Sequence, residues 1–366
     1  MTAAALRAPA QREAAQSVGA PPAAARVLIV EDSAVARAVI ARVVDSTDRF
    51  VVAGVASHVR DALAFLERNA VDHILLDICL PGVDGLTALP DLIAAGGAAQ
   101  VLIVSSSAAD GAATTVQALA LGAADTLVKP EAGALSGRFA QALIEKLERL
   151  GESRVRPVVV SQPPAPVLHL RPERDAYDVV AIGASTGGIH AISQLVRALP
   201  ASFRLPILIT QHLPGTFMPY FAAQLALISG RPTEVATDRL RVRPGRIVIA
   251  PGDAHIHCLP LSDGSTCIRL SRAPAASGCT PSVDPMLASI AAVYGSRALG
   301  VVLSGMGRDG AEGARTLREA GGAVLAQDEA SSVVWGMPGA VAAAGLADAL
   351  LPPAAIGRLI AERRRP

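Results

Sequence analysis

Two sets of residues in this chain have the types and spacing that chemistry needs. The first is acidic. Glu31 and Asp32 follow the apolar run VLIV at 27–30, and Asp77 follows ILL at 74–76. Ser105 follows a second VLIV at 101–104, and Lys129-Pro130 follows TLV at 126–128. In a parallel sheet the carboxyl ends of the strands share one edge, and ligands bind there. Carboxylates converging on such an edge repel one another unless a cation neutralises them. A hard cation such as Mg2+ suits the set, because it takes carboxylate and phosphoryl oxygens together with waters. With a hydroxyl and an ammonium at the same edge, the set is suited to receiving a phosphoryl group on a carboxylate. One strand-end Asp is more often a helix cap, and a lone Lys-Pro is a turn. Repetition of such groups at successive strand ends is hard to produce with caps.

The second set is nucleophilic. Gly183-Ala184-Ser185-Thr186-Gly187 matches G-x-S-x-G, and its small residues would expose the Ser185 hydroxyl on a sharp strand-to-helix turn. The surrounding run 179–192 also invites a dinucleotide reading, with glycines admitting a pyrophosphate to a helix N-terminus. That reading is set aside. Ser185 occupies the middle glycine position, and the next strand ends in Gln211-His212 with no acid for a ribose. A serine in such a turn, taken alone, is as readily an N-cap. The nucleophile needs a base, and the next strand delivers His212 to the same sheet edge; the base needs an orienting carboxylate. The loop SGMGRDG after 300–303 offers Asp309, whose bland role would be to cap a helix at 310–319. The order Ser185, His212, Asp309 differs from the Ser–Asp–His order of α/β-hydrolases, so this triad is a separate construction. Glycines 305, 307 and 310 leave main-chain N–H groups for an oxyanion hole.

These residues need elements to hold them. At roughly 150 residues per domain, 366 residues predict two domains or a little more. Residues 1–25 have no apolar period and read as a disordered leader. Strands are predicted at 27–30, 51–56, 74–76, 101–104 and 126–128, with helices near 33–45, 58–69, 112–121 and 138–149. Such alternation means right-handed crossovers and a parallel, doubly wound sheet. Prolines 157, 163, 164, 166 and 172 amid charges make 149–177 a semi-extended linker, with a short apolar run at 158–160. A second alternation follows. Its strands are predicted at 179–182, 206–210, 246–249, 300–303 and 323–326, and its helices near 188–198, 217–228, 284–293, 310–319 and 354–363. The patch 255–270 around Asp263-Gly264 reads as a hairpin.

Composition limits the function classes. Apolar residues make up 51% and charged residues 18%, which supports a large core and excludes global disorder. Basic residues number 33 and acidic residues 32, a net charge of +1 that suggests no nucleic-acid or anionic-membrane partner. Aromatics at 3% argue against base-stacking platforms. The most apolar stretch, 338–361, is broken by Asp348, Pro352, Pro353 and Arg358, short of the roughly 18 clean residues of a membrane span. Arg7, Pro9 and Arg12 interrupt any secretory signal. Four cysteines without a CxxC pair fit a reduced, cytoplasmic compartment.

VLIVEDS, ILLDICLPGVDG, VLIVSSS and GAADTLVKP resemble the receiver domain of bacterial response regulators over 26–148. The resemblance implies a flavodoxin-like fold, phosphorylation at Asp77, Mg2+ near Glu31, Asp32 and Asp77, and sensing of the phosphoryl group by Ser105 and Lys129. Thr126 stands where receivers usually carry an aromatic that swings on activation, so the phosphorylation chemistry carries over and the aromatic readout does not.

GASTGG, TQHLP, RPGRIVIAPGD, PSVDPML, LSGMGRDGA and AQDEASSVVWGMP are similar to the effector domain of chemotaxis protein-glutamate methylesterases, here 178–366 in a Rossmann-like fold. That resemblance implies Ser185 as nucleophile, His212 as general base and acid, and Asp309 as the group orienting His212. Thr186 and the main chain around Met306 would line the site. The implied reaction hydrolyses glutamate γ-methyl esters on methyl-accepting chemoreceptors, with glutamine deamidation as a second activity. It needs no cofactor, Mg2+ serving the receiver alone. A histidine kinase would be the phosphodonor, and the unphosphorylated receiver would obstruct the active-site face. Two rivals are a phospho-switched signalling protein without catalysis and a general small-molecule carboxylesterase. The intact triad argues against the first, and the second leaves the receiver unexplained.

Two other constellations have plainer readings. Asp253, His255 and His257 alternate like metal ligands but sit in the predicted hairpin. The run Glu-Arg-Arg-Arg at 362–365 is a solvated helix end.

Overall fold

Strands whose residues are apolar on both faces fold into the middle of sheets covered by helices. Val27, Leu28, Ile29 and Val30 are such a strand, and each is fully buried. The computed structural model describes residues 24–106, 109–129, 137–152 and 177–362. Its first part runs β1 Ala25–Val30, α1 Ala34–Val44, β2 Phe50–Ala56, α2 Val59–Leu66, β3 His73–Leu76, α3 Gly85–Gly96, β4 Gln100–Ser106, α4 Ala109–Leu121, β5 Asp125–Lys129 and α5 Gly137–Glu152. The sheet order is β2-β1-β3-β4-β5, all parallel, the flavodoxin-like order. Register sets the site: Val30 pairs with Leu76, so Glu31 and Asp77 emerge together at one edge.

The α3 helix was absent from the sequence expectation. Pro90 sits inside it and reads as a breaker, yet Asp84 accepts the Thr87 N–H at 2.8 Å and caps its start. Gly85 is obligatory there, because a Cβ would collide with the Asp77 carbonyl.

The second part runs β6 Val179–Ala184, α6 Gly188–Arg197, β7 Ile207–Gln211, α7 Met218–Ser229, β8 Thr233–Val235, β9 Ile247–Ile249, β10 His255–Pro260 and β11 Thr266–Ser271. It continues through α8 Val283–Tyr294, β12 Ala298–Val302, α9 Ala311–Glu319, β13 Ala323–Gln327, α10 Met337–Ala343, β14 Ala349–Leu351 and α11 Pro353–Glu362. Seven parallel strands lie in the order β14-β13-β12-β6-β7-β9-β8. From β6 the chain builds outward through β7, then returns to build on the other side from β12. The junction of β6 and β12 is therefore the topological switch point, where open α/β sheets bind ligands beyond the carboxyl ends of their strands. The predicted hairpin is β10 and β11, paired antiparallel. The short β8, β14 and α10 were not anticipated.

The expected leader over 1–25 lies outside the described residues up to residue 23, and β1 begins at Ala25. Most of the expected linker, with its apolar run at 158–160, also lies outside them, although α5 continues to Glu152. So does the end of the arginine run, 363–365. Among the described residues no helix is long and apolar enough to cross a membrane.

The two sheets are joined through α4, which packs on α6 and α7. The Gly187 N–H donates to the Ala124 carbonyl at 3.0 Å. On α6, His190 Nδ1–H donates to the Ala120 carbonyl at 3.0 Å, with its tautomer held by the Gln194 amide, which donates to Nε2 at 2.7 Å.

Candidate active site

At the edge of the first sheet, the register of β1 and β3 places two buried carboxylates side by side, Glu31 at 1% and Asp77 at 4% exposure. The strand β5 brings Lys129 to both: its Nζ lies 2.7 Å from Glu31 Oε2 and 2.7 Å from Asp77 Oδ2. Burial pushes the Glu31 carboxyl above its usual value, Lys129 pulls it down, and the Asp77 charge pushes it up again. Burial alone would lower the Lys129 ammonium, but its bonds to Asp77 and Glu31 raise it. Asp32, exposed beside them, completes a group whose ligand oxygens lie within 4.8 Å of one another. An all-oxygen, carboxylate-rich set of this kind fits Mg2+. Ser105 is the penultimate residue of β4, buried and opposite Val128 of β5. Thr126 pairs with Ile103, and its hydroxyl is enclosed without a hydrogen bond.

Ser185 follows β6, His212 follows β7 and Asp309 lies in the loop after β12, so three adjacent strands deliver them to the switch point. Ser185 does not cap α6. Gly187 holds that position at φ 75°, where glycine is at ease, and no side chain caps the helix. The Ser185 main chain is pinned instead. Its N–H donates to the Ser304 carbonyl at 3.0 Å, and its carbonyl accepts from Gln211 Nε2 at 2.9 Å. Ser304, in turn, donates its hydroxyl to the Thr186 carbonyl at 2.8 Å.

His212 Nε2–H donates to Asp309 Oδ2 at 2.8 Å, which leaves Nδ1 as the basic nitrogen. Asp309 is 2% exposed and is held by the start of α8. The Ser282 hydroxyl donates to Oδ1 at 2.6 Å, and the Val283 N–H donates to Oδ2 at 2.8 Å. The Asp284 and Gly310 N–H groups reach Oδ1 at 3.3 and 3.1 Å. The carboxylate therefore caps α8, not α9, and sits where a helix N-terminus favours negative charge. Burial would raise its pKa, but the bonds from His212, Ser282 and Val283 hold it well below the usual carboxylate range. Burial likewise disfavours charged His212, yet Asp309 and the neighbouring Cys279 raise it to about 9.

The expected oxyanion donors need revision. The Gly305 N–H is taken by the Val334 carbonyl and the Gly310 N–H by Asp309. Among the described residues, the N–H groups of Thr186, Met306 and Gly307 at this edge have no partner within the protein. The side chain of Met306 is exposed beside them.

Ligand atoms of His212, Cys279 and Asp309 also lie within 4.8 Å of one another. Both Asp309 oxygens already hold donors, so this is a hydrogen-bonded network and not a ligand set. Asp253 pairs with Arg272, and both His255 nitrogens are engaged by main-chain groups, so neither is free for a metal. Ser282, Cys279, His255 and Gln211 were missed as site residues from the sequence. Ser282 did have a signal, in the PSVDPML segment.

Ser185, Thr186, Gly187, Gln211 and His212 line a cavity of about 30 Å3, closed on its other side by Leu119, Ala123, Ala124 and Asp125 of the first part. That volume holds about one or two waters and no substrate side chain. Ser185 and His212 share this cavity without a hydrogen bond between them, a looseness common in uncomplexed sites.

Comparison with known proteins agrees with this geometry. The CheB methylesterase family matches residues 180–360, and the response regulator receiver domain family matches 27–136. A protein-glutamate methylesterase/protein-glutamine glutaminase 2 of Caulobacter vibrioides is 43% identical, over 93% of this chain and 99% of its own. The chain belongs to the CheB family. A second CheB relative, the protein-glutamate methylesterase/protein-glutamine glutaminase 1 of Paramagnetospirillum magneticum, is 39% identical over 89% of this chain and 93% of its own. The crystal structure of the Thermotoga maritima CheB methylesterase catalytic domain covers 51% of this chain and 98% of its own, at 35% identity and a TM-score of 0.50. A receiver and a methylesterase domain thus share this chain, each built on a parallel sheet.

Proposed function

We propose that this CheB is a phosphorylation-activated serine hydrolase that removes methyl esters from glutamate side chains of methyl-accepting chemoreceptors in the cytoplasm. The receiver would span 26–148 and the catalytic domain 178–366, with 149–177 linking them. The observation that carries the reading is the buried Asp309 bonded to His212 at the switch point, with His212 and Ser185 lining one cavity. Ser185 Oγ attacks the γ-carbonyl as His212 Nδ1 takes its proton. Unpartnered N–H groups around Thr186, Met306 and Gly307 receive the negative oxygen. His212 then gives the proton to the leaving methoxide, releasing methanol. Water, deprotonated by His212, splits the acyl-enzyme and frees glutamate and Ser185. Deamidation follows the same course with ammonia leaving.

Regulation follows from the covered cavity. A histidine kinase would transfer its phosphoryl group to Asp77, with Glu31, Asp32 and Asp77 holding Mg2+, which when bound offsets the charge of the transferred group. Lys129 now bridges Glu31 and Asp77 and lies on β5, whose first residue, Asp125, lines the catalytic cavity. A phosphoryl group that draws on Lys129 and Ser105 therefore acts on the element covering Ser185.

The deciding experiment is methanol release from methylated receptor-bearing membranes, with and without a small phosphodonor and Mg2+. The reading expects release that rises with phosphodonor. No release from any receptor while Asp77 is still phosphorylated would remove the esterase assignment.

Two further results are expected. His190→Ala deletes the bond to the Ala120 carbonyl. A hydrogen bond contributes about 0.5–1.5 kcal/mol, so unphosphorylated activity should rise roughly 2- to 10-fold, read as methanol release without phosphodonor. The base works as neutral imidazole, and His212 is raised to about 9. Hydrolysis should therefore increase with pH well past the ordinary imidazole value, reach half its plateau near 9 and level off above it. Cys279→Ala removes one of the groups raising His212 and should move that limb to lower pH; an unmoved limb would exclude the contribution of Cys279.

A further inference from the structure

His255 opens β10 and is 1% exposed, a depth at which both imidazole nitrogens need partners. Both partners are main-chain groups, which settles the tautomer. The Ser282 N–H can only donate, so Nδ1, 2.8 Å away, presents a lone pair. The Ala273 carbonyl can only accept, so Nε2, at 2.9 Å, carries the proton. One neutral ring thus ties together the two ends of the loop 273–282.

That loop carries much of what surrounds the triad. Cys279, near its end, lies beside His212 and Asp309. The Ser277 hydroxyl donates to Ser282 Oγ at 3.1 Å, and the Ser282 hydroxyl donates to Asp309 at 2.6 Å. Ser282 is itself fully buried and is the residue before α8, whose first N–H, from Val283, also holds Asp309. His255 grips Ser282 by its main chain while Ser282 grips Asp309 by its side chain.

We propose that His255 is a positioning residue for hydrolysis. It clasps the loop 273–282 so that Ser282 and the start of α8 keep Asp309 aligned on His212. The proposal rests on the reading of Ser185, His212 and Asp309 as the triad. Loss of the clasp leaves the chemical groups in place but lets the carboxylate drift, and misplacement by about 1 Å can cost about 100-fold in rate. The loss should fall on kcat, because His255 does not line the cavity that holds Ser185 and His212.

The test uses the full chain with phosphodonor and Mg2+, following methanol release from methylated receptor membranes, with Tm as the check on folding. His255→Asn keeps an acceptor close to the position of Nδ1, and His255→Gln keeps a donor close to that of Nε2. The Asn variant should retain kcat within a few-fold of the parent. The Gln variant, unable to hold Ser282, should lose about 10- to 100-fold in kcat with KM unchanged. Its pH limb should also shift below that of the parent as Asp309 loosens on His212. Equal kcat and equal pH limbs in the two variants would overturn the proposal, as would failure of both to fold, which would make His255 a residue of folding alone. Ser185→Ala runs alongside: hydrolysis by that variant would overturn the triad itself, whatever the His255 variants do.

Discussion

Ser185→Ala is expected to abolish methanol release, by at least about 1,000-fold, while Tm stays within a degree or two of the parent. The size of the loss follows from the role. Without Oγ no acyl-enzyme forms, and only direct attack by water remains, aided by the oxyanion donors and by binding. The unchanged Tm follows from the structure. What fixes this turn is main chain: the Ser185 N–H on Ser304, the Ser185 carbonyl under Gln211, and Gly187 at the start of α6. The hydroxyl caps no helix, so its removal leaves those bonds intact. Circular dichroism melting together with methanol release separates the two effects. Hydrolysis at the parent rate would remove Ser185 as nucleophile, and a Tm drop of many degrees would mean that its hydroxyl is structural.

Asp77→Ala is expected to leave basal hydrolysis in place and to abolish all stimulation by phosphodonor. The variant removes the acceptor carboxylate, while Lys129 keeps Glu31 as its charge partner, so the edge of the first sheet remains neutralised. Covering of the catalytic cavity by Leu119, Ala123, Ala124 and Asp125 does not involve Asp77 directly and should persist. The measurement is the ratio of methanol release with and without phosphodonor, which should fall to about one. A variant still stimulated would mean that another residue accepts the phosphoryl group. A variant active at the fully stimulated level without phosphodonor would mean that the Asp77–Lys129 contact itself keeps the cavity closed.

The residues proposed for chemistry were legible because each stands at the end of an apolar run. A parallel sheet carries every such end to one edge, so reading Glu31, Asp77, Lys129, Ser185 and His212 required only finding the strands. The elements that escaped are those whose local signal is weak or misleading. Pro90 argues against a helix at α3, yet the helix forms because Asp84 caps it and Leu89 and Leu92 are fully buried. Met337-Pro338-Gly339 reads as a turn but starts α10, while β8 and β14 are three residues each, too short for any periodicity to register.

The sequence by itself determined the class of the protein: two parallel-sheet domains, an acidic edge with a lysine, a serine with a histidine and an aspartate following strands, and membership among the CheB proteins. The sheets and the strand-end positions follow from period and adjacency, which are properties of the chain order, and the family from the resemblance of its motifs. Only the tertiary structure decided how the chemistry is held and when it is accessible. Asp309 and Ser282 are 27 residues apart, and their bond exists because the start of α8 packs under the loop after β12. His255 reaches Ser282 from another strand, and α4 of the receiver covers Ser185 from more than 60 residues upstream. Contacts of this kind depend on how loops close and how faces pack, and no local pattern encodes them.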